Sequence, residues 1–505
     1  MASTSSTSST SSTSSTSPTI DAALSYVEQH RQAFLEGLKD LLRIPSISTL
    51  PRHKKDIRRA AKLVATELAR IGLKQARVIK TAGQPLVYAE WLEAPDKPTV
   101  LLYGHYDVQP VDPIELWTSA PFESEIRDEN LYARGAVDDK GQMYALVKAL
   151  EALMHAGQGS LPVNVRVLIE GEEECGGEAI EAYVIEHPRQ LASDLALVAD
   201  TGMPAPGVPS LVYGLRGILY TEIHAQGARH DLHSGEYGGV GPNPIHALAL
   251  VLAGLKGADG HITIPELYQR STPVTAEERA LWARNPVDVA RLWREEMGID
   301  VLPGEQEIDP IERGTARPTL EVHGISGGFT GEGAKTVIPA EATAKVSLRL
   351  PPGLRPAEVL PLLERRVQEL CPPGVRMRVS SVHGGDAVLV PLDNPFMRAA
   401  ERALEQEWGR APVFERSGGS IPVGALFDSV LHVPVIFMGT GLPDDNVHAP
   451  NEKYHVPNFY HLIRQAIRFL AIVGRDPAIL SRPGHATANG RTRKYSARTA
   501  AGAAR

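Results

Sequence analysis

"KPTVLLYGHYDVQP", residues 97–110, decides how the rest of the chain is read. The apolar run TVLLY (99–103) ends in a glycine, and His105 and Asp107 follow two apart. A continuous apolar, β-rich run has no polar face. It predicts a strand buried on both sides, as in a parallel sheet covered by helices. Ionisable side chains just past such a strand fall where an open α/β sheet keeps its ligand crevice, outside the carboxyl ends of its strands.

Working outward, strands and helices alternate. Helical periodicity runs over 22–43 and 57–71. In the second stretch Ile57, Ala60, Ala61, Val64, Leu68 and Ile71 share a face, with Asp56 as the expected N-cap and Gly72 past the end. KGQMYALVKALEALMHAG (140–157) predicts a helix, VNVRVLI (163–169) a strand, AIEAYVIEH (179–187) a helix and LALVA (195–199) a strand. The same texture returns after 389: a helix at 394–408, the strand HVPVIFM (432–438) and a helix at 457–474. The expected fold class is α/β, a mostly parallel sheet covered by helices. Between about 212 and 388 the texture differs. In TAKVSLRL (343–350), Ala344, Val346, Leu348 and Leu350 point one way and Thr343, Lys345, Ser347 and Arg349 the other, the mark of a sheet with one buried face. The expected organisation is a main domain over 19–211 and 389–476, with an inserted α+β two-layer domain over 212–388.

The bulk numbers suit such an assembly. The chain has 505 residues, 43% of them hydrophobic and 22% charged, enough for two or three domains with a large core. A formal net charge of −8 argues against nucleic acid or an anionic membrane as the main partner. No run of 18 apolar residues predicts a membrane span. Residues 1–18 are almost pure Ser and Thr and are expected to be disordered. They lack the basic start and apolar centre of a secretory signal, and the first basic residue is Arg31. Residues 477–505 read as a second, basic disordered tail. With only two cysteines, Cys175 and Cys371, the chain is not organised by disulfides, and a cytoplasmic location is expected.

Other strand ends repeat the opening pattern. VNVRVLI is followed by EGEEECGG (170–177), LALVA by Asp200 in DTG, and HVPVIFM, after a glycine-rich loop, by NVHAPNE (446–452) with His448. LYARGAVDDKG (131–141) sets Asp138 and Asp139 just before a helix. Taken singly, each has a plainer reading: a loop His-x-Asp, a solvated glutamate run, a helix cap, a turn. Together they deliver histidines and carboxylates to one sheet edge. So many carboxylates in one place would be strongly destabilising without a counter-charge. A cation, and better two, solves this, and mixed His and carboxylate ligands suit zinc, manganese or cobalt.

At this point the sequence resembles a metallopeptidase family. It holds the carnosine-type and cytosolic non-specific dipeptidases, glutamate carboxypeptidase, acetylornithine deacetylase and succinyl-diaminopimelate desuccinylase. The resemblance covers nearly all of 20–475. Its carriers are LLRIPSIS, LLYGHYDVQP, ARGAVDDKG, IEGEEECGG, VADTG, DLHSGEYGG, GGFTGEGAKTVIP, RSGGSIPV and NVHAPNE. HYDVQP and DLHSGEYGG are the forms of the dipeptidase branch. The resemblance implies two divalent ions, zinc first, with manganese or cobalt as alternatives. His105 and Asp200 would hold one, Glu174 and His448 the other, and Asp138 would bridge them. Asp107 would orient His105, Glu173 would be the general base, and Glu172 a bystander. Two such ions about 3.5–4 Å apart share a water and bring its pKa toward roughly 7. The resemblance also implies that the insertion is a lid and dimerisation domain, and that His233 stabilises the oxyanion from the partner subunit of a homodimer. Arg349 would clamp the substrate carboxylate, with Ser417, Gly418, Gly419 and Ser420 offering a nest of backbone N–H groups. The family's dipeptidases often carry Glu where this chain has Ser417, which bears on substrate preference.

The implied activity is hydrolysis of dipeptides or small peptides with a free C-terminal carboxylate. An N-acyl-amino-acid deacylase or desuccinylase would use the same site, and a non-catalytic relative would have lost a ligand or the base, all of which are present here. A nucleotide-binding loop is nearly spelled by GGFTGEGAKT (327–336), but Ala334 separates Gly333 from Lys335 and a strand follows where a helix is needed. No G-x-S-x-G elbow supports a serine hydrolase.

Overall fold

The computed structural model describes residues 18–480; the Ser/Thr-rich tail through residue 17 and the basic segment from 481 lie outside the described residues. Thirteen strands build two sheets. In chain order they are β1 (Lys74–Ile79), β2 (Leu86–Trp91), β3 (Thr99–His105), β4 (Asn164–Glu170), β5 (Leu195–Val198), β6 (Ser210–Leu215), β7 (Gly217–Gln226), β8 (Thr319–Gly327), β9 (Glu341–Leu350), β10 (Arg376–Gly385), β11 (Val388–Leu389), β12 (Val413–Ser417) and β13 (Val435–Phe437).

The large sheet has the order β1-β2-β4-β3-β5-β13-β6-β11, with β12 also paired to β6. Its centre, β4-β3-β5-β13, is parallel throughout. The flanks add antiparallel pairs at β1–β2, β2–β4 and β6–β11. The parallel centre is what the alternation of strands and helices predicts. Burial explains its composition: β3 is buried from Val100 to His105, so no polar alternation is tolerated until the chain leaves the sheet. Gly104 is required at that exit. A Cβ there would lie 2.6 Å from Met143 and 2.9 Å from Asp139 Oδ2, against the helix Lys140–Ala156. That helix is buried from Lys140 to Met154, beneath the outer helix Val456–Val473.

The second sheet, β8-β9-β7-β10, is wholly antiparallel. Ala344, Val346, Leu348 and Leu350 of β9 are fully buried in a separate hydrophobic core with Val251, Leu255, Leu363 and Val367 from the helices Pro244–Leu255 and Pro356–Leu370. Lys345 is exposed and Arg349 half-buried, as the alternation predicts. Within 212–388, however, the helix Ala276–Trp282 leaves this core. Trp282 joins the core of the large sheet, and Glu278 accepts from Tyr213 Oη at 2.9 Å and from buried Arg416 Nε at 2.8 Å. The stretch after GEGAKT is extended, Val337–Ile338 and then β9, so no helix follows to cradle a phosphate.

Two local expectations change. The helix at 22–43 is two helices, Pro18–Gln29 and Arg31–Leu42, interrupted at His30. Asp56 is not an N-cap; the helix Lys54–Arg70 begins two residues earlier, and Asp56 Oδ2 lies 3.0 Å from His53 Nδ1 in its first turn. Both cysteines are free. Among the described residues no helix is long and apolar enough to cross a membrane.

Candidate metal centre

The carboxyl ends of β3, β4 and β5 lie side by side, and this brings the distant segments together. His105, the last residue of β3, is fully buried. Its Nε2 stands 3.1 Å from Asp138 Oδ1 and 3.9 Å from Asp200 Oδ2. His448 Nε2 lies 2.8 Å from Asp138 Oδ2 and 3.2 Å from Glu174 Oε2. Two triads result, His105–Asp138–Asp200 and Asp138–Glu174–His448, each with its ligand atoms within 4.8 Å of one another. They share Asp138, which turns one oxygen to each.

Asp107, also fully buried, organises both sides. Its Oδ1 is 3.3 Å from His105 Nδ1, and its two oxygens accept the backbone N–H groups of Glu173 and Glu174, both at 3.2 Å. One carboxylate therefore orients the histidine and pins the turn Glu173–Cys175. Glu172 points elsewhere, accepting from Gln84 N at 2.5 Å and Ala179 N at 2.6 Å, as suits a bystander. His448 sits at φ +63 and Asn446 at φ +53, left-handed conformations that cost free energy and concentrate at functional sites.

The electrostatics have one theme, an excess of buried negative charge. Burial first, and then the Asp138 charge, push Asp200 well above the usual carboxylate range. Burial, with Glu174 and Glu170, pushes Glu173 up to about 8. Hydrogen bonds to Asp138 and Glu174 push His448 up to about 10. Such a site gains from bound cations. Its donors, two imidazoles and three carboxylates, fit a pair of divalent first-row metals.

Of the remaining expected residues, Ser417, Gly418, Gly419 and Ser420 line the same cavity as Asp138, Glu173, Asp200 and His448, whereas Arg349 and His233 do not. Arg349, on β9, donates to Ser420 Oγ at 2.8 Å. Ser420 Oγ in turn donates to Arg216 O at 2.5 Å. The N–H of Gly419 is taken by Ser417 Oγ at 3.2 Å, so this nest donor is already engaged. His233 is exposed, on a short pairing with Val337, and its Nδ1 accepts from Gly235 N at 3.1 Å; it belongs to neither triad.

Sequence reading did not single out four supporting residues. Buried Glu452 accepts from Arg134 at 2.7 Å and from the N–H groups of Gly135, Val137 and Asp138 at 2.9, 3.0 and 3.2 Å, fixing the loop that carries Asp138. Gln109 Nε2 donates to Glu174 Oε2 at 2.7 Å. Arg216 Nε donates to Gly418 O at 3.0 Å. Glu452 lies inside the motif NVHAPNE and Arg134 inside ARGAVDDKG, but nothing local says that the two meet.

Known proteins resemble this chain in sequence and in fold. The profile of peptidase family M20/M25/M40 matches residues 101–471. The chain is 31% identical to a Cys-Gly metallodipeptidase, DUG1, of Candida albicans, over 86% of this chain and 93% of that protein. It is 30% identical to the human Beta-Ala-His dipeptidase, over 87% and 90%. Among solved structures, the metallo-carboxypeptidase Sso-CP2 of Sulfolobus solfataricus superposes with a TM-score of 0.79 at 32% identity, covering 87% of this chain and 99% of that one. With the family profile spanning most of its length, this chain belongs to the M20/M25/M40 peptidases.

Proposed function

We propose that the protein is a metallodipeptidase, hydrolysing the amide bond of dipeptides or small peptides that end in a free carboxylate. The observation that carries the reading is the pair of triads hinged on Asp138, with Glu173 lining the same cavity as Asp138, Asp200 and His448. His105 and Asp200 would hold one divalent ion, Glu174 and His448 the other, and Asp138 would serve both. Zinc is the proposed metal. Bound there, two ions supply an acidified water and polarise the scissile carbonyl. Glu173 takes the proton of the attacking water and returns it to the departing amine. Arg349 clamps the carboxylate, seated by Ser420. The names of the relatives, a Beta-Ala-His and a Cys-Gly dipeptidase, favour dipeptides over N-acyl amino acids.

EDTA is expected to bring hydrolysis of a dipeptide panel to background, and added Zn²⁺ or Mn²⁺ to restore it. Hydrolysis indifferent to EDTA, or turnover of N-acyl amino acids alone, would rule the reading out.

His233 is proposed to stabilise the oxyanion of a neighbouring subunit, in a homodimer joined through the inserted lid, residues 212–388. In support, Val240 and Ile325 of that region are 80% and 59% exposed, apolar side chains that a partner subunit would cover. Mixed dimers of His233→Ala and Glu173→Gln chains are expected to regain the activity that neither homodimer has. Failure to complement places the action of His233 within its own chain. With both thiols free, a reducing cytoplasm is the proposed compartment.

A further inference from the structure

The metal ligands Asp138, Asp200 and His448, with Glu173 beside them, open into a cavity of about 510 Å³, within the range of small-molecule sites. Its far wall is unlike the metal end. The helix Val289–Met297 presents Val289, Leu292 and Trp293 to it, an apolar stripe at i, i+3 and i+4, with the exposed Glu296 at i+7. No residue of this helix is buried. An amphipathic helix normally hides its apolar stripe against a core, whereas this one turns it to the space beside the metal site.

The wall is built rather than loose. The helix is capped by Asp288, whose side chain accepts from Arg291 N at 2.9 Å, and it ends at Gly298 in the left-handed region. It follows Ala276–Trp282, which is anchored to the large sheet through Glu278 and Arg416. Behind it, the ring of Trp293 packs on Gly314, and the Gly314 carbonyl lies so close to Gly418 that a Cβ there would be 2.5 Å from it. The chamber wall and the SGGS turn are thus one packed unit. Phe414 and Glu415 of β12 also line the chamber; burial pushes Glu415 up to about 7, and Asn285 Nδ2 donates to it at 3.4 Å.

We infer that this chamber binds the residue on the acyl side of the scissile bond and selects a large apolar side chain there. The assignment of side rests on the function proposed above: the clamp meets the chamber only at the turn Ser417–Ser420, where Ser420 accepts from Arg349, so a carboxylate held at that turn leaves the wall Val289–Met297 to the other end of the substrate. A peptide seated with its carbonyl at the metals would put its acyl-side residue against Leu292 and Trp293, covering a stripe that water otherwise wets.

The test separates binding from turnover. The Glu173→Gln protein is titrated with Leu-Gly, Phe-Gly, Gly-Gly and Asp-Gly, following tryptophan emission, with calorimetry as a second readout. Leu-Gly and Phe-Gly are expected to bind at least about tenfold more tightly than Gly-Gly or Asp-Gly, the discrimination that a few methylenes in an apolar pocket provide. Leu292→Asp is expected to collapse that ratio while the bound metal, read by elemental analysis, stays unchanged. Equal affinities in the parent, or a ratio that survives Leu292→Asp, overturn the chamber and leave the hydrolytic reading standing. A preserved binding preference with no dipeptide cleaved by the native protein supports the chamber and overturns the hydrolytic reading instead.

Discussion

Glu173→Gln is expected to cost dipeptide hydrolysis a factor on the order of 10²–10⁴, the range for loss of a positioned general base, while the protein keeps its full complement of metal. The two effects separate because Glu173 belongs to neither triad. Its backbone N–H is held by Asp107 Oδ1, a contact the substitution leaves alone. Glutamine has the shape of glutamate but cannot accept the proton of the attacking water. The measurement is kcat on a single dipeptide beside elemental analysis of the same sample. A variant that keeps most of its activity shows that another group is the base; one that loses metal as well shows that Glu173 is a ligand.

Asp138→Ala is expected to abolish activity for a different reason. Asp138 is the only residue common to both triads, facing His105 with one oxygen and His448 with the other. Without it each ion keeps two protein ligands, and the site keeps two imidazoles with less negative charge between them. Metal affinity should fall by well over the roughly 10–100-fold that loss of a mere orienting partner costs. Because ligands that bind only the folded state stabilise it, Zn²⁺ should raise the melting temperature of the native protein and leave that of Asp138→Ala almost unmoved. Without metal the variant should melt somewhat lower, since, despite burial, hydrogen bonds to His105 and His448 hold the Asp138 carboxyl well below the usual carboxylate range, and the substitution removes those pairs. A variant that still takes up two ions with native affinity would remove Asp138 from the centre of the site.

How much of this was legible in the sequence follows from how local each signal is. The strand ends were readable because burial of a parallel strand and the abrupt change to ionisable residues occupy neighbouring positions, as in TVLLY and GHYD. The triads then required only that successive parallel strands end at one edge. The register within EGEEECGG came from the family resemblance; the structure adds a physical reason, since Glu172 is turned to Gln84 and Ala179 while Glu174 meets His448. What escaped is long-range. Glu452 holds the Asp138 loop from more than three hundred residues away. The helix Val289–Met297 reads as an ordinary surface helix, because periodicity reveals an apolar stripe but not what it faces. The break at His30 escaped because the apolar rhythm continues across it.

Hydrolysis at this site depends on the pair of ions. Zinc-edge anomalous diffraction from metal-replete crystals, paired with elemental analysis of the same protein, tests it most directly. The predicted result is two ions per chain, one touching His105 and Asp200, the other Glu174 and His448, and both touching Asp138. One fully occupied site with the second empty at saturating metal, or ions bound away from these five side chains, would contradict it.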